Sequence, residues 1–519
     1  MIHNPTQTNP TLEQNQPLSQ TLLWQLQRNF FAQQGINAWN HNTVPHYITS
    51  NPYIANAYAK VVLGYLRDWQ LILDPTHPIY ILELGGGSGR FAYHFLKKFW
   101  SFFPQTSLNP LPVKYILSDF SPSNLHYWHH HPFLQPYFQQ SKLDIAQFDA
   151  QNSQTLHLQH ANQTHTTLKN PLIVLANYFF DCLPQDAFTL KQNQLHASLV
   201  SLTLPPHLTS PKLEDPDLVR HLQITYSDRP ITPNYYDNPA YNQLLHYYQQ
   251  HLNNTTVLLP IIGLKCLDNL RRLSQDRLLL ISGDKGYSKL EDWRDRPKPY
   301  MAFHGNCFSL MVNYHAIGQY VINQGGQTLH TPHRHTSLNI SAFLFGHPPT
   351  NYAETRHAYQ EAIVNNSPDD FFNLKKAIEY HCDRLSLQQI IAYLRLSGWD
   401  TKIFLGCLSP LTQQIESASN SQRQELIQVI QNIWDTYYPI GEPQDLAFQL
   451  GELLIKLQDY HTASWYFQQS LKLYGLQPNT LYNLGLCYHH LNKPDASLYC
   501  LHQVQALDPT FAPTRKINS

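Results

Sequence analysis

Tyr80-Ile-Leu-Glu-Leu84 is a five-residue apolar run that breaks into Gly85-Gly-Gly-Ser-Gly89, and from Phe91 to Phe99 apolar residues recur at helical spacing. Strand, glycine loop and helix in that order leave few folds open. Glycine allows a tight turn and a close backbone approach to a ligand, and a helix N-terminus offers free N–H groups. The unit therefore reads as an anion- or nucleotide-binding device. A Walker loop must end in Gly-Lys-Ser/Thr, and Arg90-Phe91 follows Gly89 instead. A dinucleotide loop starting at Gly85 needs its third glycine where the chain has Arg90. The spacing of an acid followed by Gly-x-Gly-x-Gly is complete in Glu83, Gly85, Gly87 and Gly89. A tight strand–helix turn that binds nothing is the competing reading of this loop taken alone.

Three further short apolar runs share the pattern. Val113 to Ser118 ends at Asp119, Leu172 to Ala176 ends at Asn177, and Arg277 to Ile281 ends in Ser282-Gly283-Asp284. Separated by helical stretches, such runs predict a Rossmann-like α/β fold with a parallel sheet covered on both faces. Helical spacing also runs from Leu22 to Phe31 and from Ile54 to Leu73. The proline- and tyrosine-rich stretch 202–253 interrupts the alternation and reads as an insertion over the sheet rim. After Pro348-Pro349 the chain turns helical. The expected organisation is a disordered segment 1–20, the α/β domain over 21–347, a helical linker or cap over 348–438, and an all-α repeat domain over 439–519.

The repeat is visible at its glycines. Gly451 and Gly485 lie 34 residues apart, with Leu454 matched by Tyr488, Ala463 by Ser497 and Phe467 by Leu501. Small residues at a helix contact let two helices approach, and bulky ones fill the groove beside them. This 34-residue period resembles tetratricopeptide repeats, which implies a surface that recruits a protein partner or protein substrate.

Bulk properties exclude several classes. A net charge of -1, with His neutral, offers no basic stripe for nucleic acid. The seven cysteines form no CxxC pair, so neither a disulfide framework nor a zinc knuckle is expected. Among the 29 histidines, two groups stand close in sequence, His126, His129, His130 and His131 and then His330, His333 and His335, but adjacent side chains diverge, so no metal site is expected. No secretory signal and no run near the roughly 20 apolar residues that cross a bilayer is found, so a soluble cytoplasmic protein without a membrane partner is expected.

The loop spacing resembles motif I of class I methyltransferases, whose glycines make room for S-adenosyl-L-methionine (SAM). A carboxylate at the tip of the second strand, here Asp119, can accept both ribose hydroxyls. Capping of the helix that starts near Pro122 is its alternative role, with Ser121 able to cap instead. Asp149, in Gln147-Phe-Asp-Ala150, stands where such methyltransferases bind the adenine amino group, or is a plain loop residue.

A narrower resemblance follows. Leu175-Ala-Asn-Tyr-Phe-Phe-Asp-Cys-Leu-Pro184 is similar to the Ala-Asn-Glu-x-x-Asp-Ala-x-Pro signature of the MidA family of complex I assembly methyltransferases. His46-Tyr-Ile-Thr-Ser50 resembles that family's entry segment, and Ser282-Gly-Asp-Lys-Gly-Tyr287 its Asp-Tyr-Gly turn. Val312-Asn-Tyr-His-Ala-Ile317 with Gly325-Gly326 resembles its closing helix and strand. The likeness spans residues 44–346. It implies a SAM-dependent methyltransferase with protein arginine as acceptor. Asn177, Asp181 and Asp284, at strand C-terminal ends, are the expected acceptor-side catalytic residues. Tyr178 replaces the family's Glu, and Lys285 its Tyr. His304 is a candidate base on the rim, and Cys182 reads as packing rather than a nucleophile. The competing reading is a SAM-fold adaptor that assembles complexes through its repeats without turnover.

Overall fold

The computed structural model describes residues 10–40, 43–208, 212–335 and 337–512. The chain divides into two compact units, Met1–Phe372 and Asn373–Ser519.

Seven strands of the first unit make one sheet. They are β1 (Ile79–Leu84), β2 (Val113–Asp119), β3 (Leu143–Gln147), β4 (Leu172–Asn177), β5 (Leu278–Asp284), β6 (Gln327–Leu329) and β7 (Asn339–Phe345). Their spatial order is β6-β7-β5-β4-β1-β2-β3. Strands β1 to β5 pair in parallel, and β7 runs antiparallel to both β5 and β6. The sheet is thus mixed rather than wholly parallel. All residues of β1, β5 and β7 are buried, the pattern of strands covered on both faces.

Two of these strands escape an apolar-run reading for a physical reason. In β3, Asp144 is fully buried among Leu143, Ile145 and Ala146. Its carboxylate accepts the backbone N–H groups of Ile145, His160 and Ala161 at 2.9, 2.8 and 3.1 Å, so a charge stands inside a core strand with its partners supplied. In β7, Asn339 and Ser341 interrupt the apolar residues and hydrogen bond each other.

The helices that frame the site are α1 (Leu22–Gln34), α2 (Asn37–Asn40), α3 (Pro52–Trp69), α4 (Arg90–Phe102), α5 (Pro122–His130), α6 (Ile261–Leu273) and α7 (Tyr314–Asn323). The start of α3 is fixed locally. Asn51 accepts the Ile54 N–H at 3.0 Å and Pro52 occupies the first turn, where its missing donor costs nothing.

Three expectations about the chain's organisation need correction. Residues 11–17, read as part of a disordered N-terminus, form a strand along Gln194–Thr203, because the backbone ladder and not side-chain burial holds this polar segment. Residues 1–9 lie outside the described part. The segment read as an insertion over 202–253 belongs to a larger second sheet. Its strands are Thr11–Pro17, Gln194–Thr203, Asp186–Lys191 and Thr255–Leu259 in spatial order, with Gln223–Pro230 also paired to Gln194–Thr203. The excursion thus starts at Asp186, directly after the tip of β4.

Residues 348–372, expected in a helical linker, group with the sheet unit. Asp68, buried in α3, explains this. Its carboxylate accepts the Glu354 and Thr355 N–H groups at 3.0 and 2.7 Å and the Thr355 hydroxyl at 2.6 Å.

The second unit is helical among its described residues and ends in α8 (Leu446–Lys456), α9 (Tyr460–Tyr474), α10 (Pro478–His490) and α11 (Pro494–Leu507). Gly451 sits where a β-carbon would stand 2.7 Å from the Phe467 ring. At Gly485 the same addition would stand 3.2 Å from Cys500 Cβ. Each glycine of the 34-residue period thus sets the approach of α8 to α9 and of α10 to α11.

Candidate cofactor and acceptor site

The strand order reverses between β1 and β4, and the loops leaving the C-terminal ends of these strands diverge to open a crevice, the usual ligand position in an open α/β sheet. The glycine loop leaves β1 at that point. Gly85, Gly87 and Gly89 hold left-handed backbone conformations, with φ of 63°, 52° and 77°. A residue with a β-carbon would pay about 1–2 kcal/mol at each such position. The loop is pinned from two sides. Gly86 N–H donates to Ser118 O at 2.9 Å, and the Trp128 indole N–H donates to Gly87 O at 3.0 Å.

Glu83 lies beside the loop, buried, and accepts the Tyr115 hydroxyl at 2.7 Å. Burial pushes its carboxyl up to about 8, against the hydrogen bond from Tyr115 and with help from the nearby Asp119. Asp119 ends β2 and is also buried. Its carboxylate accepts Ser121 N–H at 3.0 Å, the Asn124 amide at 3.0 Å and Gly87 N–H at 3.3 Å. Asp119 therefore ties the glycine loop to the start of α5. Asp149 lies beyond β3 and is gripped by Arg28 of α1, whose Nη1 and Nη2 donate to its two oxygens at 3.2 and 3.0 Å. The same guanidinium lies 4.5 Å from the centre of the Phe120 ring. Burial raises Asp149, but the Gln151 N–H and Arg28 outweigh it and hold the carboxyl below its ordinary value.

A cavity of about 120 Å³ opens at the glycine loop. Glu83, Gly85 and Gly87 line it together with Asn177 and Asp181, whereas Gly89, Asp119, Asp149 and Asp284 do not border it directly. Asn177 ends β4, accepts the Tyr58 hydroxyl at 2.7 Å and donates to Thr49 O at 3.2 Å. Tyr178 follows with a left-handed φ of 48° and passes its N–H to Gly283 O at 2.9 Å. This turn sends Asp181 back beneath the cavity, where its N–H donates to Asp284 Oδ2 at 3.1 Å.

Asp284, fully buried at the end of β5, also accepts Lys285 N–H at 2.8 Å. Burial and the neighbouring Asp181 push it well above the usual carboxylate range. Burial likewise raises Asp181 to about 6, although contacts with Cys182, Asp284 and Lys285 oppose the rise. The second Asp181 oxygen, Oδ1, is buried with no hydrogen-bond partner. His304 also lines the cavity, in the hairpin of Ala302–His304 and Cys307–Ser309, and is held below its ordinary value by burial and by Lys285. Burial pushes the Cys182 thiol well up, which argues against a resting thiolate.

Residues 62–261 match the model of a family described as "Putative S-adenosyl-L-methionine-dependent methyltransferase". The cofactor of that family is SAM. The matched stretch contains the glycine loop, Asp119, Asp149, Asn177 and Asp181. The first unit carries a methyltransferase-like α/β sheet, and a helical region follows it. Two solved structures from Burkholderia thailandensis are similar to part of the chain. One is of an uncharacterised superfamily member, 10% identical over 63% of this chain and 87% of that one, with a TM-score of 0.39. The other is of a member of the same superfamily bound to S-adenosyl-homocysteine (SAH), 11% identical over the same shares, with a TM-score of 0.41. No curated protein matches the chain.

The loop geometry fits SAM. Its left-handed Gly85 and Gly87 bring bare backbone to the cavity, which the polar residues Asn177 and Asp181 also line. Sequence reasoning missed the N-terminal wall. Phe31 and Trp39 stack with ring centres 5.9 Å apart, and a β-carbon on Gly87 would stand 3.0 Å from the Trp39 ring. It also missed Tyr58 and Arg28. An amphipathic helix signals only that one face is buried, so no local pattern distinguishes these residues from ordinary core.

Among the described residues, no helix is long and apolar enough to cross a membrane.

Proposed function

We propose that this protein is a SAM-dependent methyltransferase, with SAM on the glycine loop and the acceptor at the tips of β4 and β5. The observation that carries the reading is the shared cavity. A left-handed glycine loop at the sheet's switch point lines the same space as Asn177 and Asp181. Glu83, Gly85, Gly87 and Gly89 would hold the amino-acid and ribose portions of SAM. Asp119 and Asp149 would take the ribose and adenine after exchanging their present partners. SAM supplies a methyl group activated by a sulfonium, and the protein's task is to align donor and acceptor and to remove a proton.

The MidA resemblance makes protein arginine the acceptor in this reading. A guanidinium is best held by paired carboxylates. With Tyr178 in place of the family's Glu, Asp181 carries the clamp, and Asn177 and Asp284 support it. The helical second unit, with its 34-residue period, would recruit the protein substrate or a protein partner in the cytoplasm.

The test is calorimetry with SAH. Wild-type protein binds it, and Gly87→Val abolishes binding while the protein stays folded. Wild-type affinity in that variant removes the proposal. A second reading is a SAM-fold adaptor without turnover, favoured by the protein donors already on the carboxylates of Asp119 and Asp149. It predicts SAH binding with no transfer of labelled methyl to any component of a lysate.

A further inference from the structure

The helical unit buries two cysteines against each other. Cys382 opens the single turn Cys382–Arg384, and Cys407 joins the helices Thr401–Gly406 and Leu408–Gln414. The two residues are 3% and 0% exposed, and both are free thiols. The Cys382 thiol donates to Cys407 Sγ at 2.6 Å, across a sequence separation of 25 residues. That distance is nearer the about 2.04 Å of a sulfur–sulfur bond than the about 3.5–4.0 Å at which even carbon atoms, smaller than sulfur, pack.

The packing around the pair is close. The turn Cys382–Arg384 rests against Leu408–Gln414. A β-carbon on Gly406, the residue before Cys407, would stand 3.2 Å from Glu379 Oε1. Glu379 in turn accepts Lys375 Nζ at 2.5 Å. A single buried cysteine serves as a small apolar filler. That role gives no account of two sulfurs held within reach of a bond.

We propose that Cys382 and Cys407 are an oxidation site that closes to an intramolecular disulfide, with a low-molecular-weight disulfide such as oxidised glutathione as the oxidant, and that this bond staples the start of the helical unit. The site is independent of the methyltransferase reading. The chemistry is thiol–disulfide exchange. One cysteine loses its proton and its sulfur attacks one sulfur of the small disulfide. The bond between the two small-molecule sulfurs breaks and releases a first thiolate. The other cysteine then loses its proton and attacks the first cysteine's sulfur, which releases the second thiolate. The two thiolates take up the two protons. The protein pair gives up two electrons, and the small disulfide is reduced to two thiols.

Burial pushes both thiols up, so the resting pair is protonated and exchange proceeds from a locally opened state. The elements that carry the pair suit such opening. They are three, six and seven residues long, and short elements of this kind open without global unfolding. Once formed, the bond restricts the unfolded chain and so favours the folded unit.

The experiment uses the full chain, first reduced and then exposed to excess oxidised glutathione. Remaining thiols are blocked, and tryptic peptides are weighed without reductant. Peptides 377–384 and 403–423, which carry Cys382 and Cys407, should appear joined at their summed mass less two hydrogens and separate on reduction. The thermal midpoint of the oxidised protein should stand about 5 °C or more above that of the reduced protein. Cys407→Ala should abolish that difference. The proposal is overturned if the two peptides are never joined, or if either cysteine instead carries glutathione as a stable adduct. It also falls if oxidation leaves the midpoint unmoved, or if Cys407→Ala shows the same rise. The peptide masses come from the unsubstituted chain, so they decide the question even where the variant fails to fold.

Discussion

The guanidinium of Arg28 covers both carboxylate oxygens of Asp149, at 3.2 and 3.0 Å, across a sequence separation of 121 residues. A planar cation thus sits on Asp149 and against the Phe120 ring, where the proposed reading places an adenine. The two groups compete for one carboxylate. Arg28→Ala should therefore strengthen SAH binding several-fold, and Asp149→Ala should weaken it. Because the pair is partly exposed, the loss in stability on Arg28→Ala should stay near 1 kcal/mol. Calorimetry and urea unfolding measure both. Unchanged SAH affinity in both variants would show that Asp149 serves only to anchor α1.

Glu83 should make the fold sensitive to alkali. Its carboxyl is raised from 4.5 to about 8 by burial. A raised folded-state value means that its contribution is complete below the unfolded value and is lost as pH climbs through the folded one. Thermal midpoints should therefore fall between pH 5 and 9. Glu83→Gln, which still offers Tyr115 an acceptor oxygen, should flatten part of that fall. An identical pH slope in the variant would mean that Glu83 ionises without cost.

Gly283 should tolerate no β-carbon. One placed there would stand 2.6 Å from the Tyr58 hydroxyl and 2.8 Å from Asn177 Oδ1, which are hydrogen bonded to each other. Overpacking of this kind costs about 1–3 kcal/mol. Gly283→Ala should lower the urea midpoint accordingly and displace the Asn177 amide from the cavity. Adding Tyr58→Phe should recover part of the stability by removing the nearer atom. No recovery would place the strain elsewhere in β5.

Residues 1–372 should bind SAH alone. Every proposed cofactor contact lies within this compact unit, from Glu83 to Asp149. The truncated protein should match the full chain in SAH affinity and lose transfer to a protein acceptor. A folded truncation that cannot bind SAH would assign part of the cofactor site to the second unit.

The sequence by itself determined the elements whose signal is local. The run from Tyr80 into Gly89 specified β1, its loop and α4, because only glycine turns so tightly and an apolar five-residue run must be buried. The tips at Asp119, Asn177 and Asp284 were legible for the same reason. The strand with buried Asp144 was not, since its partners are backbone groups 16 and 17 residues further on. Only the tertiary structure decided which carboxylates are already engaged. Asp181 meets Asp284 across 103 residues, and Arg28 meets Asp149 across 121. Spacing along a chain sets which face of a strand or helix a side chain occupies. Packing between elements sets its neighbours and its burial, and through them whether a carboxyl acts as an anchor or a neutral acid.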